Sequence, residues 1–174
     1  MSHSAYIRYL PSPFGPLFLG ATEQGLCAVC FAPGVPALQR QLARHGISLF
    51  REEPSSFLEA ASAYLQAYFA GEAPPLTFPL DLRGTAFQRL VWEALLTIPY
   101  GETRAYSEIA AQIGHPRAIR AVGRAVGANP ISLIVPCHRV IGRNGDLVGY
   151  GGGLKLKQAL LALEHGLREP SLDV

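Results

Sequence analysis

The sequence predicts an α/β N-terminal domain, a small antiparallel sheet with helices, followed by a mainly α C-terminal domain. Three observations carry this. Three short apolar runs separated by turn residues fall within the first 31 residues. A stretch holding three prolines and two glycines, Gly71–Gly84 (GEAPPLTFPLDLRG), interrupts the chain near its middle. Beyond it, apolar residues recur at helical rather than strand spacing. Residues 1–80 form the first predicted domain, with a linker from about residue 71, and residues 85–174 form the second.

In the first domain, Ala5–Leu10, Leu17–Ala21 and Leu26–Phe31 read as strands, and the Pro/Gly turns and Glu23, Gln24 and Gly25 between them make an antiparallel meander the simplest arrangement. Pro33–Arg44 reads as a helix and Ile47–Phe50 as a further strand. Phe57, Leu58, Ala61, Leu65, Tyr68 and Phe69 share one helical face, and Gly71 follows as a C-cap.

The second domain opens on a capping box, Thr85, Ala86, Phe87 and Gln88, in which the Thr and Gln side chains cap each other's backbone N–H. Phe87, Leu90, Val91, Ala94, Leu95 and Ile98 then follow at helical spacing, until Pro99, Tyr100 and Gly101 end the helix. A short helix over Ser107–Ile113, a turn at Gly114 and His115, and a helix opened by Pro116 and running to about Ala128 form a helix-turn-helix pattern. A last helix runs from about Leu154 to His165, ended by Gly166.

Composition excludes several classes. With 49% hydrophobic and 16% charged residues, the chain is globular rather than disordered. No apolar run approaches the roughly 20 residues of a membrane span, and Met1, Ser2, His3 and Ser4 begin no secretory signal. The three cysteines, Cys27, Cys30 and Cys137, are too few for a disulfide scaffold and suit a reducing, cytoplasmic setting. Charge is unevenly spread. Residues 1–84 hold five Arg against six acids, whereas residues 85–174 hold eight Arg and two Lys against seven acids. Arg104, Arg117, Arg120, Arg124, Arg139 and Arg143 enclose one acid, Glu108, with Glu102 just outside. Such a segment suits a phosphate or nucleic-acid face.

On the predicted helix after Pro116, Ile119, Val122 and Val126 share one face. Arg117, Arg120 and Arg124 repeat the same spacing two residues earlier, which at about 100° per residue sets them roughly 200° away. A solvated amphipathic helix is the plain reading. The lack of interspersed acids and the smallness of Ala121, Gly123, Ala125, Gly127 and Ala128 favour close approach to a nucleic acid, and a minor-groove contact would suit such a helix.

Ile131–Val135 is an apolar run leading into Pro136, Cys137, His138 and Arg139. A lone cysteine is commonly a small buried hydrophobe, but His and Arg beside it can stabilise a thiolate. The spacing leaves both readings open, and a Cys–His contact needs a turn or a bridging water. Cys27 and Cys30 resemble half a zinc site, yet residues three apart on a strand point to opposite faces, so a core role is expected. Gly142–Gly153 (GRNGDLVGYGGG) lacks the Lys-Ser/Thr ending of a phosphate loop; with Tyr150 it could wall a flat pocket or be an ordinary turn. Glu164 sits in the last helical turn, where the helix dipole disfavours it by about 0.3–1 kcal/mol. Solvent or His165 is the simpler partner, a buried His the alternative.

These residues together resemble one family. Asn129 and Pro130, the run Pro136–Gly142 (PCHRVIG) and the glycines around Tyr150 look like the methylated-DNA–protein-cysteine methyltransferases, the O6-alkylguanine-DNA alkyltransferases, with the bacterial constitutive form as the nearest likeness. Ile98–Thr103 (IPYGET), Arg120–Gly123 (RAVG) and Leu160 to Glu164 add to it. The resemblance implies a ribonuclease-H-like N-terminal domain, a winged helix-turn-helix C-terminal domain and irreversible, single-turnover alkyl transfer from guanine O6 in double-stranded DNA to a cysteine. It implies no cofactor, no membrane partner and a monomer, with cooperative assembly on DNA and activity on O4-alkylthymine left open; some relatives hold an N-terminal zinc site, for which this chain shows no matching ligand set, so no metal is expected. By the resemblance, Cys137 is the nucleophile, His138 its base through a water, and Glu164 the orienter of His138. Asn129 holds the cysteine turn. Arg120 replaces the flipped nucleotide, and Tyr106 turns the flanking phosphate and bonds the base. Tyr150, the main chain of Val140 and the N–H of Gly151 line the base pocket. Some relatives carry Ser where this chain has Gly151; a backbone N–H survives that change and a hydroxyl role does not.

The chemistry suits the residues. A methyl carbon needs a soft nucleophile, which a thiolate is, and the buried O6 atom requires the nucleotide to leave the stack. The rivals are a non-catalytic lesion sensor or regulator, which needs the basic helix but no thiol, and a cysteine hydrolase, which needs an oxyanion hole.

Overall fold

The computed structural model describes residues 3–142 and 153–166. The chain divides into two compact units. One is Met1–Gly84 with Pro130–Ile134, and the other is Thr85–Asn129 with Val135–Val174.

Unit 1 is built on β1 (His3–Leu10), β2 (Leu17–Ala21), β3 (Leu26–Phe31) and β4 (Ile47–Arg51), in the order β3-β2-β1-β4. The first three strands are an antiparallel meander and β4 lies parallel to β1. The apolar runs are continuous rather than alternating because the sheet is covered on both faces. Phe18, Cys27 and Ala28 form a cluster with Leu38 and Leu42 of α1 (Val35–Ala43). Leu17 and Leu19 point the other way by strand alternation and are equally buried. Helix α2 (Ser56–Phe69) packs against β1, β2 and β3 and buries Leu58, Ala61, Leu65 and Tyr68. It ends at Gly71, whose left-handed φ of 88° lets the N–H of Glu72 reach back to the Ala67 carbonyl.

The stretch after Gly71 is not a free linker throughout. Leu26 N–H donates to the Pro79 carbonyl at 3.0 Å, and Asp81 N–H donates to the Leu26 carbonyl at 2.7 Å. The buried Asp81 carboxylate accepts from the Thr22 hydroxyl at 2.5 Å and from Arg83 Nε and Nη2, each at 2.9 Å. The proline-rich stretch therefore ends as part of unit 1. A second difference concerns Pro130–Ile134, which the sequence reading assigned to the C-terminal domain. Val29 N–H donates to the Pro130 carbonyl and Ser132 N–H to the Val29 carbonyl, both at 2.9 Å, so this segment extends the β3 edge of unit 1. Its polar backbone groups find strand partners there that the helical unit does not offer.

Unit 2 contains α3 (Ala86–Leu95), α4 (Tyr106–Gln112), α5 (Ile119–Gly127) and α6 (Leu154–Glu164), with β5 (Arg104–Ala105) parallel to β6 (Val140–Ile141). The capping box at Thr85 and Gln88 is present. Helix α3 stops at Leu95, three residues short of the expected Ile98, because Leu96–Ile98 tighten into a turn whose Thr97 hydroxyl donates to the Ala94 carbonyl. Helix α4 closes at Gly114, whose φ of 80° lets His115 N–H reach the Ala110 carbonyl.

Helix α5 begins later than expected. Pro116 and Arg117 lie in a turn closed by Ala118 N–H donating to the His115 carbonyl at 2.9 Å, and the helix starts at Ile119. Arg117 therefore precedes the helix instead of lying on its stripe. Ile119 is exposed at the helix start, and the buried face is Val122, Ala125 and Val126. Trp92 is fully buried in α3 and donates its indole N–H to the Ala125 carbonyl at 2.8 Å, tying α3 to the end of α5. No helix among the described residues is long and apolar enough to cross a membrane.

Candidate active site

The local chain around Cys137 is a turn, not a strand. Pro136 ends the apolar run, and Cys137–Arg139 form a short 3-10 helix in which Arg139 N–H donates to the Pro136 carbonyl at 3.0 Å. Val140 N–H caps it by donating to the Cys137 carbonyl, and Val140, buried, then pairs with Arg104 in β6. The turn keeps Cys137 and His138 from diverging as strand neighbours do. All three residues of the turn are buried.

Asn129 braces this turn. Its amide donates to the Val135 carbonyl at 2.8 Å, and its side chain also hydrogen-bonds the Cys137 thiol. Burial pushes the Cys137 thiol up from its ordinary value; the Asn129 bond, the Lys157 ammonium and backbone donors at Cys137 and His138 work against that rise. The resting sulfur is therefore held as a thiol that needs a base. Burial also lowers the basicity of His138, against the pull of Glu164, so its imidazole is neutral at rest.

Glu164 is the last residue of α6, and its carboxylate is fully enclosed. His138 Nε2 bonds its Oε2. Arg139 Nε donates to Oε1 at 2.7 Å, and Gly101 N–H donates to the same oxygen at 3.0 Å. These partners offset the unfavourable helix dipole. His165, the simpler partner, bonds the Gly101 carbonyl instead, at 3.0 Å.

Tyr106 opens α4. Its hydroxyl is raised by burial and then by the Cys137 thiolate, so it stays a proton donor beside the sulfur. The ring faces Gly123 of α5, where a Cβ would meet two ring carbons at 4.0 Å. Arg120 and Arg124 project exposed from α5, with Ala121 and Gly123 half-buried between them, and Arg117 is exposed in the preceding turn. The structure thus brings together Cys137, His138, Glu164, Asn129, Tyr106 and Val140, and sets Arg120 and Arg124 on the helix beside Tyr106. Tyr150 and Gly151 lie outside the described residues.

Sequence reasoning missed two buried cations. Arg139 entered only as a neighbour of the thiol. Lys157, two turns before Glu164 on α6, is buried; burial lowers its basicity, and charge on the Cys137 sulfur would raise it. The signal was present: Lys157 and Glu164 flank Leu160 on one apolar helix face, where unpaired charges are not kept. Cys27 is buried and Cys30 half-buried, both as free thiols pushed up to about 12 by burial. Among the described residues, no group of three or more His, Cys, Asp or Glu could hold a metal ion.

Two family models match the chain. Residues 86–166 match the DNA-binding domain of 6-O-methylguanine DNA methyltransferase, and residues 5–82 match its ribonuclease-like domain. A methylated-DNA–protein-cysteine methyltransferase of Mycobacterium tuberculosis H37Rv is 50% identical over 159 residues, 91% of this chain and 92% of that protein. One from Methanosarcina acetivorans is 48% identical over 159 residues, 91% of this chain and 97% of its own. The solved structure of Mycobacterium tuberculosis OGT in complex with DNA superposes with a TM-score of 0.79 at 50% identity, covering 92% of this chain and 93% of that one. The O6-methylguanine-DNA methyltransferase of Pyrococcus kodakaraensis superposes with a TM-score of 0.67 at 26% identity, covering 92% of this chain and 98% of that one.

Proposed function

This chain belongs to the 6-O-methylguanine DNA methyltransferase family, and on that premise we propose that it repairs DNA by moving the alkyl group of O6-alkylguanine onto Cys137 in a single, irreversible turnover. The observation that carries the reading is the buried free thiol of Cys137 followed by a buried imidazole whose Nε2 is held by Glu164.

With Nε2 committed to Glu164, the proton of the thiol passes to Nδ1 of His138, through a water. Glu164 fixes the ring and stabilises the imidazolium that forms. The sulfur attacks the alkyl carbon, the S–C bond forms as the O6–C bond breaks, and the electron pair moves into the guanine. The Tyr106 hydroxyl hydrogen-bonds the base as negative charge builds on it, and the base, still in its strand, becomes ordinary guanine by taking up a proton from solvent as the imidazolium of His138 gives one back. The product thioether resists hydrolysis, so Cys137 is consumed and no cofactor is used.

Reaching O6 requires the nucleotide out of the stack. In this reading, α4 and α5 act as a winged helix-turn-helix in the minor groove. The small residues Ala121 and Gly123 allow close approach, and Arg120 fills the space of the extruded nucleotide. Arg117 and Arg124 meet phosphates, and Tyr106 turns the flanking phosphate. Val140, Tyr150 and Gly151 line the base pocket, Asn129 holds the cysteine turn, and unit 1 is the ribonuclease-H-like domain. The protein acts in the cytoplasm as a monomer on double-stranded DNA. Intact mass after mixing with a duplex holding one O6-methylguanine tests this: one added methyl on the Cys137 peptide, stopping at one, is expected. An unchanged mass with the duplex bound would make the protein a lesion sensor.

A further inference from the structure

The Glu164 carboxylate serves two basic partners, one on each oxygen. Arg139 Nε donates to Oε1 at 2.7 Å, while His138 Nε2 occupies Oε2. The arginine is itself held: its Nη1 donates to the Ile98 carbonyl at 2.8 Å, and its guanidinium carbon lies 5.7 Å from the centre of the Tyr100 ring. At 8% exposure it is a buried, permanent cation.

A buried carboxylate whose only basic partner is an imidazole favours the imidazolium, because the charged pair balances and the lone anion does not. An imidazolium cannot accept the thiol proton. Here the permanent cation already balances Glu164, so a second proton on the same cluster is surplus. We infer that Arg139 is a positioning residue for alkyl transfer: by neutralising Glu164 from its second oxygen it keeps His138 an unprotonated, correctly oriented base, with Glu164 remaining a carboxylate throughout. The inference rests on the transfer to Cys137 proposed above.

The charged and titratable groups around His138 are Glu164 and Lys157 from α6, Cys137 and Arg139 from its own turn, and Tyr106 and Tyr100 from the segments packed on them. Burial lowers the basicity of the ring most, Glu164 raises it, and Arg139 and Lys157 lower it further. Removing the Arg139 charge therefore moves the ring toward the protonated form.

The experiment is the single-turnover methyl-transfer rate against pH for the unmodified protein, Arg139→Met and Arg139→Lys, on a duplex carrying one O6-methylguanine. The acid limb of Arg139→Met is expected to move up by about one to three pH units, with the rate recovering at alkaline pH. Arg139→Lys, which keeps the charge, is expected to restore most of the limb. A loss in Arg139→Met by the same factor at every pH, or no loss, overturns the inference. Should Arg139→Met not fold, Arg139→Gln takes its place, and the ¹⁵N resonances of His138 are followed against pH in it and in the unmodified protein: a protonation midpoint moved up in the variant is expected, and an unmoved one overturns the inference. An unmodified protein that takes no methyl at all defeats the transfer reading itself, a result distinct from any of these.

Discussion

Among the described residues, each unit buries one carboxylate clasped by an arginine, and the two clasps are put together differently. In unit 1 the Arg83 guanidinium takes both oxygens of Asp81, and the Thr22 hydroxyl adds a further bond to Oδ2. Arg83 also donates to the His45 carbonyl at 3.3 Å. Every partner of that carboxylate has a fixed charge state near neutrality, so the cluster can only hold structure: it fastens the end of the proline-rich stretch to the turn between β2 and β3. In unit 2 Arg139 takes one oxygen of Glu164 and leaves the other to a histidine. Histidine changes charge near neutral pH, so the same chemical pair becomes part of a proton path. What separates a staple from a catalytic dyad here is the occupant of the second oxygen.

The comparison breaks most severely at Glu164. Glu164→Ala leaves Arg139 buried without its carboxylate and His138 without its orienter. A stability loss of about 3–5 kcal/mol is expected, together with a transfer rate lowered by about 10²- to 10⁴-fold. Urea unfolding and single-turnover kinetics measure the two, and an unchanged rate would remove Glu164 from the mechanism. Asp81→Ala is expected to cost a similar stability, toward the lower end because Arg83 keeps some solvent contact. Its folded fraction should transfer methyl at the unmodified rate; a rate loss as large as that of Glu164→Ala would erase the distinction between the two clusters.

A smaller effect isolates the packing that carries the α5 helix. Trp92→Phe removes the indole donor from the Ala125 carbonyl and leaves that oxygen buried, at an expected cost of about 1–3 kcal/mol. Thermal unfolding reads this directly. Arg120→Ala should slow transfer from duplex DNA more than transfer from the free base, and equal slowing on both would end its proposed role in replacing the nucleotide.

A pH profile sharpens the comparison further. His138 is less basic folded than unfolded, so below about 6.5 the unfolded chain takes up a proton that the folded one refuses. Stability is thus present above that value and falls as pH drops toward the lowered native value. The thiols run the other way. Cys27 and Cys30 rise from 9.0 to about 12, and Cys137 also rises. Their contribution is present below about pH 9 and is lost as pH climbs toward about 12. Unfolding midpoints across the range should form a plateau that falls at both ends, and Cys27→Ala should flatten part of the alkaline fall. A midpoint unchanged between about pH 9 and 12 would contradict the buried thiols.

Much of the architecture was legible because its signals are local. The three strands of the meander are delimited by their own turn residues, α2 by its apolar face and Gly71, and α3 by the Thr85–Gln88 box. The cysteine turn was legible as a motif, and the partnership of His138 with Glu164 only as one of several options. Where reading failed, a local turn or the limit of the burying surface had won. Pro116 has the right shape to open a helix, yet the His115 carbonyl draws Ala118 into a turn first, which takes Arg117 off the helix. Ile119 fits the apolar spacing but falls at the exposed start of α5, where the burying surface has not yet begun.

The sequence by itself determined where strands and helices form, which half of the chain is basic, and that one cysteine stands in a setting fit for chemistry. Those properties follow from backbone preferences and side-chain periodicity over a few residues, which act before any distant contact exists. Only the tertiary structure decided which partners each buried charge received. Thr22 reached Asp81 across 59 residues, His138 and Arg139 reached Glu164 across 26 and 25, and Gly101 reached it across 63. A buried carboxylate must be paired, but nothing in its own neighbourhood along the chain says with what. That choice belongs to packing, and it made Asp81 a staple and placed Glu164 behind a base.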